Sequence, residues 1–406
     1  MESLLYNNSI SSKAANAILI IGLLFSAFVN FYSESANGIA LHLVIPAMFG
    51  LCVILNPRGL FRGNKYVTIL SWLLLWIVVS YLWAAYSVPA VRQLKQIFGT
   101  FLLAIIISTI AKKESYIPWL YIAYIALFAG AWIYASNNII GIMDEYHNRM
   151  EDERLNANQM AYMLFYVTFG VYVLAEISKK RIVMLFWKVL FLGMIPLSYI
   201  TALLTASRQV LLIQVPLIAI LLYLRYFKKA KLINKILFIG IIAVAASIIT
   251  PIYHTTYQDS HLQERAERTV QEDDRYNLAI DAIGVGFEHF PLGVGPNNYV
   301  MYSYSKHFSH NTFIELFANE GVIGLCLYIW LMLTFVKRQW RRFKAFRDYQ
   351  YFVFLIFGII YIFDSFFYVF YPHLWFMGFF MLVAAHSETY FNKHHRLNPQ
   401  THHITA

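Results

Sequence analysis

His310, Arg208, Arg275 and Arg154 stand out because each falls where an apolar run meets a polar junction. His310, in Ser309-His310-Asn311-Thr312, opens a long hydrophobic segment. An imidazole ionises near pH 6.5, so at such a boundary it can accept a proton near neutrality. The competing role is structural: a histidine capping a helix that begins near Asn311 and bonding to its backbone. Arg208, in Thr205-Ala206-Ser207-Arg208-Gln209, sits at a tight connection between two apolar runs. Its guanidinium stays charged and can grip phosphate oxygens through two parallel hydrogen bonds. It can equally snorkel to lipid headgroups. Arg275 follows Glu272-Asp273-Asp274 and either binds an anion or neutralises those acids. Arg154, in Asp152-Glu153-Arg154, faces the same choice between an anion and a local ion pair.

Other motifs carry less. Gly293-Val294-Gly295 lacks the Lys-Ser/Thr of a phosphate loop. No His, Asp or Glu run has metal-ligand spacing, and His394, His395, His402 and His403 follow no organised pattern, so neither metal nor cofactor is expected. Cys52 and Cys326 lie apart within apolar runs and read as small core residues.

These residues must be positioned by membrane helices. Of 406 residues 59% are hydrophobic and 13% charged, and the apolar residues come in runs too long for a soluble core. A span needs roughly 20 mostly apolar residues. That template predicts twelve, at 15–31, 39–55, 67–85, 97–111, 116–135, 157–177, 183–203, 210–226, 233–250, 311–336, 351–370 and 373–390. The first has no A-x-A type cleavage site and is read as a retained helix. The spans are poor in charge, Asp364 being the main exception.

The formal charge of +10 falls in short clusters between apolar runs, such as Lys179-Lys180-Arg181 and Lys337 to Arg347. The positive-inside rule explains these clusters, so nucleic acid is not an expected partner, and the lipid bilayer is. Sorting alternate connections by charge predicts both termini in the cytoplasm and an acid-rich polar insertion outside the cell. The expected organisation is nine spans in 1–250, a helical insertion at 251–310, three spans in 311–390 and a cytoplasmic tail at 391–406. Within the insertion, helical apolar spacing follows Arg275, and Pro291 to Tyr299 reads as a turn-dense loop.

In this order the features resemble the O-antigen ligase family of membrane glycosyltransferases, which includes the Wzy-type polymerases. The resemblance rests on the twelve-span layout and the large insertion between spans nine and ten. It rests also on Asn156-Ala157-Asn158-Gln159-Met160-Ala161 opening span six, Ser207-Arg208 opening span eight, and Arg275 before Ala279 and Ala282. Pro291-Leu292-Gly293-Val294-Gly295-Pro296-Asn297-Asn298-Tyr299 followed by His310-Asn311 and Gly321 completes it.

The resemblance implies an all-α polytopic, GT-C-like fold in a Gram-negative inner membrane, with a periplasmic active site. It implies an O-antigen ligase that transfers a glycan from undecaprenyl diphosphate to a hydroxyl of the lipid A core oligosaccharide, inverting the anomeric centre without metal. His310 would be the general base, and Arg208 and Arg275 would hold the donor diphosphate. Arg154, Asn158 and Asn311 are further candidates. A Wzy-type polymerase and a protein O-oligosaccharyltransferase remain as enzymatic alternatives, and a lipid-glycan transporter as a non-enzymatic one.

Overall fold

A computed structural model describes residues 17, 20–22, 43–55, 64–139, 157–204, 214–223, 231, 274–304 and 306–397. The described residues form helices and connecting turns, with no strand among them. In chain order the helices are α1 (Ile45–Leu55), α2 (Lys65–Ser80), α3 (Ser87–Ala111), α4 (Ile117–Ile139), α5 (Ala157–Ile177), α6 (Arg181–Leu204) and α7 (Val215–Leu222). They continue as α8 (Asp274–Glu288), α9 (Tyr299–Tyr302), α10 (Thr312–Phe346), α11 (Tyr349–Asp364) and α12 (Leu374–Leu397). Among the described residues, 6 helices are long and apolar enough to cross a membrane. The architecture is that of an all-helical, polytopic membrane protein.

The expected spans at 67–85, 116–135, 157–177 and 183–203 coincide with α2, α4, α5 and α6 within a few residues. Those at 15–31 and 233–250 lie almost wholly outside the described residues, as does the first part of the insertion, 251–273. The span expected at 97–111 is the end of a longer helix. α3 starts at Ser87, and its first turns carry exposed Arg92 and Lys95, polar residues that a search for apolar runs passes over. α11 stops at Asp364 and not at 370, because the chain then turns to bond with Thr312. α12 continues to Leu397, into the stretch expected to be tail.

The chain divides into two compact units, Met1–Tyr124 with Asp273–Ala406, and Ile125–Glu272. In the second, α5 packs along α6. The two differ sharply in what they cover. α5 is almost wholly buried, with Tyr162, Phe165, Tyr166 and Tyr172 in the interior, whereas α6 presents Ile182, Leu185, Phe186, Val189 and Leu192 outward. An apolar outward stripe of that length is what a lipid-facing helix requires.

In the first unit, α10 is the organising element. Its 35 residues would extend about 52 Å at 1.5 Å per residue, more than a hydrocarbon core of about 30 Å. It packs against α2, α8 and α11, while α12 packs on α3. The helix is broken once, at Gly321, whose φ of 65° and ψ of −164° are non-helical. The loop at 291–295, Trp76 of α2 and the core under α8 all meet α10 close to that break.

Candidate active site

A helix interrupted in its third turn leaves carbonyls without their i+4 amides, and buried backbone groups must find other partners. Here they find the loop at 291–295. Val294 N–H donates to Ala318 O at 3.0 Å, Gly295 N–H to Asn319 O at 2.8 Å, and Val322 N–H to Pro291 O at 3.0 Å. The Trp76 indole N–H of α2 donates to Glu320 O at 2.8 Å. The loop can approach so closely because Gly293 and Gly321 both hold positive φ and lack a side chain. A Cβ on Gly321 would fall on the Pro291 carbonyl oxygen.

The same loop is fastened to the α2–α3 junction. Asn298 accepts from Tyr86 N–H at 2.8 Å through Oδ1 and donates to Tyr86 O at 3.1 Å through Nδ2. α8 lies on the other side, with Ala282 and Val285 in a small core with Val294, Tyr299 and Ala318. Burying a valine contributes about 2 kcal/mol, so Val285 and Val294 hold the layers together without polar contacts. Tyr299 donates its hydroxyl to Leu278 O at 3.1 Å and to Asp281 Oδ2 at 3.2 Å. Burial raises its pKa well beyond the ordinary tyrosine range, so the phenol stays protonated and remains a donor.

His310 stands at the start of α10. Its φ of 57° is in the left-handed region, which costs a non-glycine residue of order 1 kcal/mol or more unless neighbours impose it. Here they do. Asn311 is the N-cap, with Oδ1 accepting from Phe313 N–H at 2.9 Å and Ile314 N–H at 3.1 Å. Ser309 Oγ donates to Asn311 O at 3.0 Å, and Ser309 N–H donates to Glu315 Oε2 at 2.7 Å. Thr312 N–H donates to Ser365 O at 2.8 Å and its hydroxyl to Tyr368 O at 2.6 Å. The His310 ring lies 4.2 Å from that of Phe308, centroid to centroid, and the residue is half-buried.

Arg275 is half-buried in the first turn of α8, a helix packed against α10. The structure therefore places the Arg275 helix and the His310 helix side by side in one unit. Asn311 is adjacent to His310 as its helix cap. Asn158 falls in the first turn of α5. Arg208 and Arg154 lie outside the described residues. Among the described residues no group of three or more His, Cys, Asp or Glu side chains is placed to hold a metal ion.

Sequence reasoning passed over Glu315, Asn319 and Glu320, and named Asp364 as the main acid within the spans. Glu315 and Glu320 are fully buried in α10, Glu320 taking a hydrogen bond from Ser80 Oγ. Tyr371, whose phenol accepts from Gln93, stands beside both carboxylates and Asn319. The signal was available: ionisable residues inside an apolar helix are expensive to bury and mark function by default.

The fold and this polar, hydrogen-bonded helix opening define a helical membrane protein with its candidate chemistry at one end of a span. Residues 193–329, about a third of the chain, match the family model described as O-antigen ligase. The matched region contains Arg208, Arg275, His310, Asn311 and Gly321, while Arg154 and Asn158 precede it. Members of the family are membrane glycosyltransferase-like ligases and polymerases. No curated protein matches the chain.

Proposed function

We propose that this protein is an O-antigen ligase, transferring a glycan from undecaprenyl diphosphate to a hydroxyl of the lipid A core oligosaccharide on the periplasmic face of a Gram-negative inner membrane. The observation that carries the reading is His310, held in a left-handed conformation at the opening of α10 within the family-matched region, with Arg275 on the helix packed beside it. His310 takes the proton of the acceptor hydroxyl. The acceptor oxygen attacks the anomeric carbon from the face opposite the diphosphate. The bond from that carbon to the diphosphate oxygen breaks with its electron pair, releasing undecaprenyl diphosphate and inverting the centre.

General base catalysis contributes about 10² to 10⁴ in rate. The leaving diphosphate needs fixed positive charge, which Arg275 and Arg208 supply.

The test supplies a defined undecaprenyl diphosphate glycan to the protein in lipid, with lipid A core oligosaccharide and a second lipid-linked repeat unit as competing acceptors. Glycosylated core is the expected product. Chain extension of the repeat unit would instead identify a polymerase, and no transfer to either would overturn the reading.

A further inference from the structure

Glu315, Asn319 and Tyr299 form a buried chain of hydrogen bonds whose direction is set by main-chain groups at both ends. At one end Ser309 N–H, next to His310, donates to Glu315 Oε2 at 2.7 Å. Glu315 Oε1 accepts from Asn319 Nδ2 at 3.2 Å. Asn319 Oδ1 in turn accepts from Tyr299 N–H at 2.7 Å. Ser309, Glu315, Asn319 and Tyr299 are each at most 2% exposed. Beyond Tyr299 the path continues through its hydroxyl to Asp281 and Leu278 of α8.

A backbone N–H can only donate, so both ends of this chain demand acceptors. Asn319 offers one acceptor and one donor group. Its oxygen is committed to Tyr299, and it therefore presents N–H to residue 315. Residue 315 must then accept on both sides, which a carboxylate does and a glutamine cannot. In either orientation of a glutamine amide, one N–H would face another N–H in a buried site, where an unsatisfied donor is costly.

We propose that Glu315 is a positioning residue for the transfer reaction, acting through Ser309 to hold His310 in register with the α8 helix that carries Arg275. The inference rests on the reading of His310 as the base. Glu315 itself touches neither substrate nor reacting atoms. Its contribution is the placement of the loop, and a displacement of about 1 Å in such a constellation can cost on the order of 10²-fold in rate.

The polarity argument supplies its own test. In Glu315→Gln the chain has a donor facing a donor, and in Asn319→Asp an acceptor faces an acceptor. In the double variant Glu315→Gln, Asn319→Asp, every hydrogen bond returns, with the one between the two side chains reversed in direction. The new amide at position 315 accepts from Ser309 N–H through its oxygen and donates through its nitrogen. The new carboxylate at position 319 accepts from that amide and from Tyr299 N–H. Steady-state transfer from undecaprenyl diphosphate glycan is measured for all four proteins in lipid, with donor KM and kcat separated and the amount of folded protein determined.

Each single variant is expected to lower kcat about 10- to 100-fold with donor KM little changed, and the double variant to recover kcat to within a few-fold of the parent. Full activity in Glu315→Gln would overturn the proposal. So would a double variant that is inactive or absent from the membrane, since its hydrogen bonds are restored; inactivity there with normal folding would make Glu315 chemically essential. If the parent transfers no glycan at all, the proposed function fails, which the four-way comparison keeps distinct from failure of the positioning role.

Discussion

The two ends of α10 bury ionisable side chains in opposite ways. At the Phe346 end, Arg342 donates to the Glu388 carboxylate at 2.8 Å and Arg338 approaches it at 3.2 Å. Gln339 adds a hydrogen bond to Ser387 Oγ at 3.1 Å. Opposite charges meet, and the cluster fastens α10 to α12. At the Thr312 end, Glu315 and Glu320 instead take hydrogen bonds from neutral donors: Ser309 N–H, the Asn319 amide and the Ser80 hydroxyl. Their oxygens organise a loop and a helix break. One end of the helix is an anchor and the other a scaffold for the proposed base, His310.

The largest expected effect breaks the scaffold. Gly321→Ala places a Cβ against the Pro291 carbonyl in a conformation reserved for glycine, costing about 3 kcal/mol or more. Thermal unfolding in detergent should show a large loss of stability together with loss of transfer; an unchanged midpoint would mean the break is not imposed by Gly321.

Arg342→Ala breaks the anchor. Glu388 keeps Arg338 at 3.2 Å, so loss of the Arg342 hydrogen bond should cost about 1.5 kcal/mol of stability. Donor KM and kcat per folded molecule should stay at the parent values. A selective fall in kcat would erase the distinction between the two ends.

Arg275→Ala sharpens the comparison at smaller scale. Removing one charged contact to the donor diphosphate, about 1.4 kcal/mol, should raise donor KM about tenfold. Stability should move by no more than about 0.5 kcal/mol. Normal donor use would remove Arg275 from the site.

Much of the bundle was legible because lipid imposes a simple rule on each helix separately. Apolar length alone located α2, α4, α5 and α6. It failed where a helix runs past its apolar stretch, as α3 does through Arg92 and Lys95, or where a turn interrupts an apolar run, as at Ser365. The turn-dense segment Pro291 to Tyr299 and a helix opening near Asn311 were also legible, from turn residues and the start of an apolar run, but the residue that caps the helix is Asn311 and not His310. The break at Gly321 was not. A glycine within a helical pattern is tolerated at about 1 kcal/mol, so nothing local announced that Pro291 and Gly295 would take its hydrogen bonds. The partnership of Glu315, Asn319 and Tyr299 was hidden for the same reason: it joins separate segments through single hydrogen bonds and leaves no periodicity. Asn319 lies four residues after Glu315 and so shares its helix face, a clue visible once the helix is placed.

The central claim is that the Thr312 end of α10 presents His310 as the base for glycan transfer. It is tested most directly by single-turnover transfer from undecaprenyl diphosphate glycan to lipid A core oligosaccharide in the parent and in His310→Ala, with equal folded protein in lipid. The expected result is a drop of about 10²- to 10⁴-fold in the chemical step with donor binding retained. Transfer at the parental rate in His310→Ala would contradict the account.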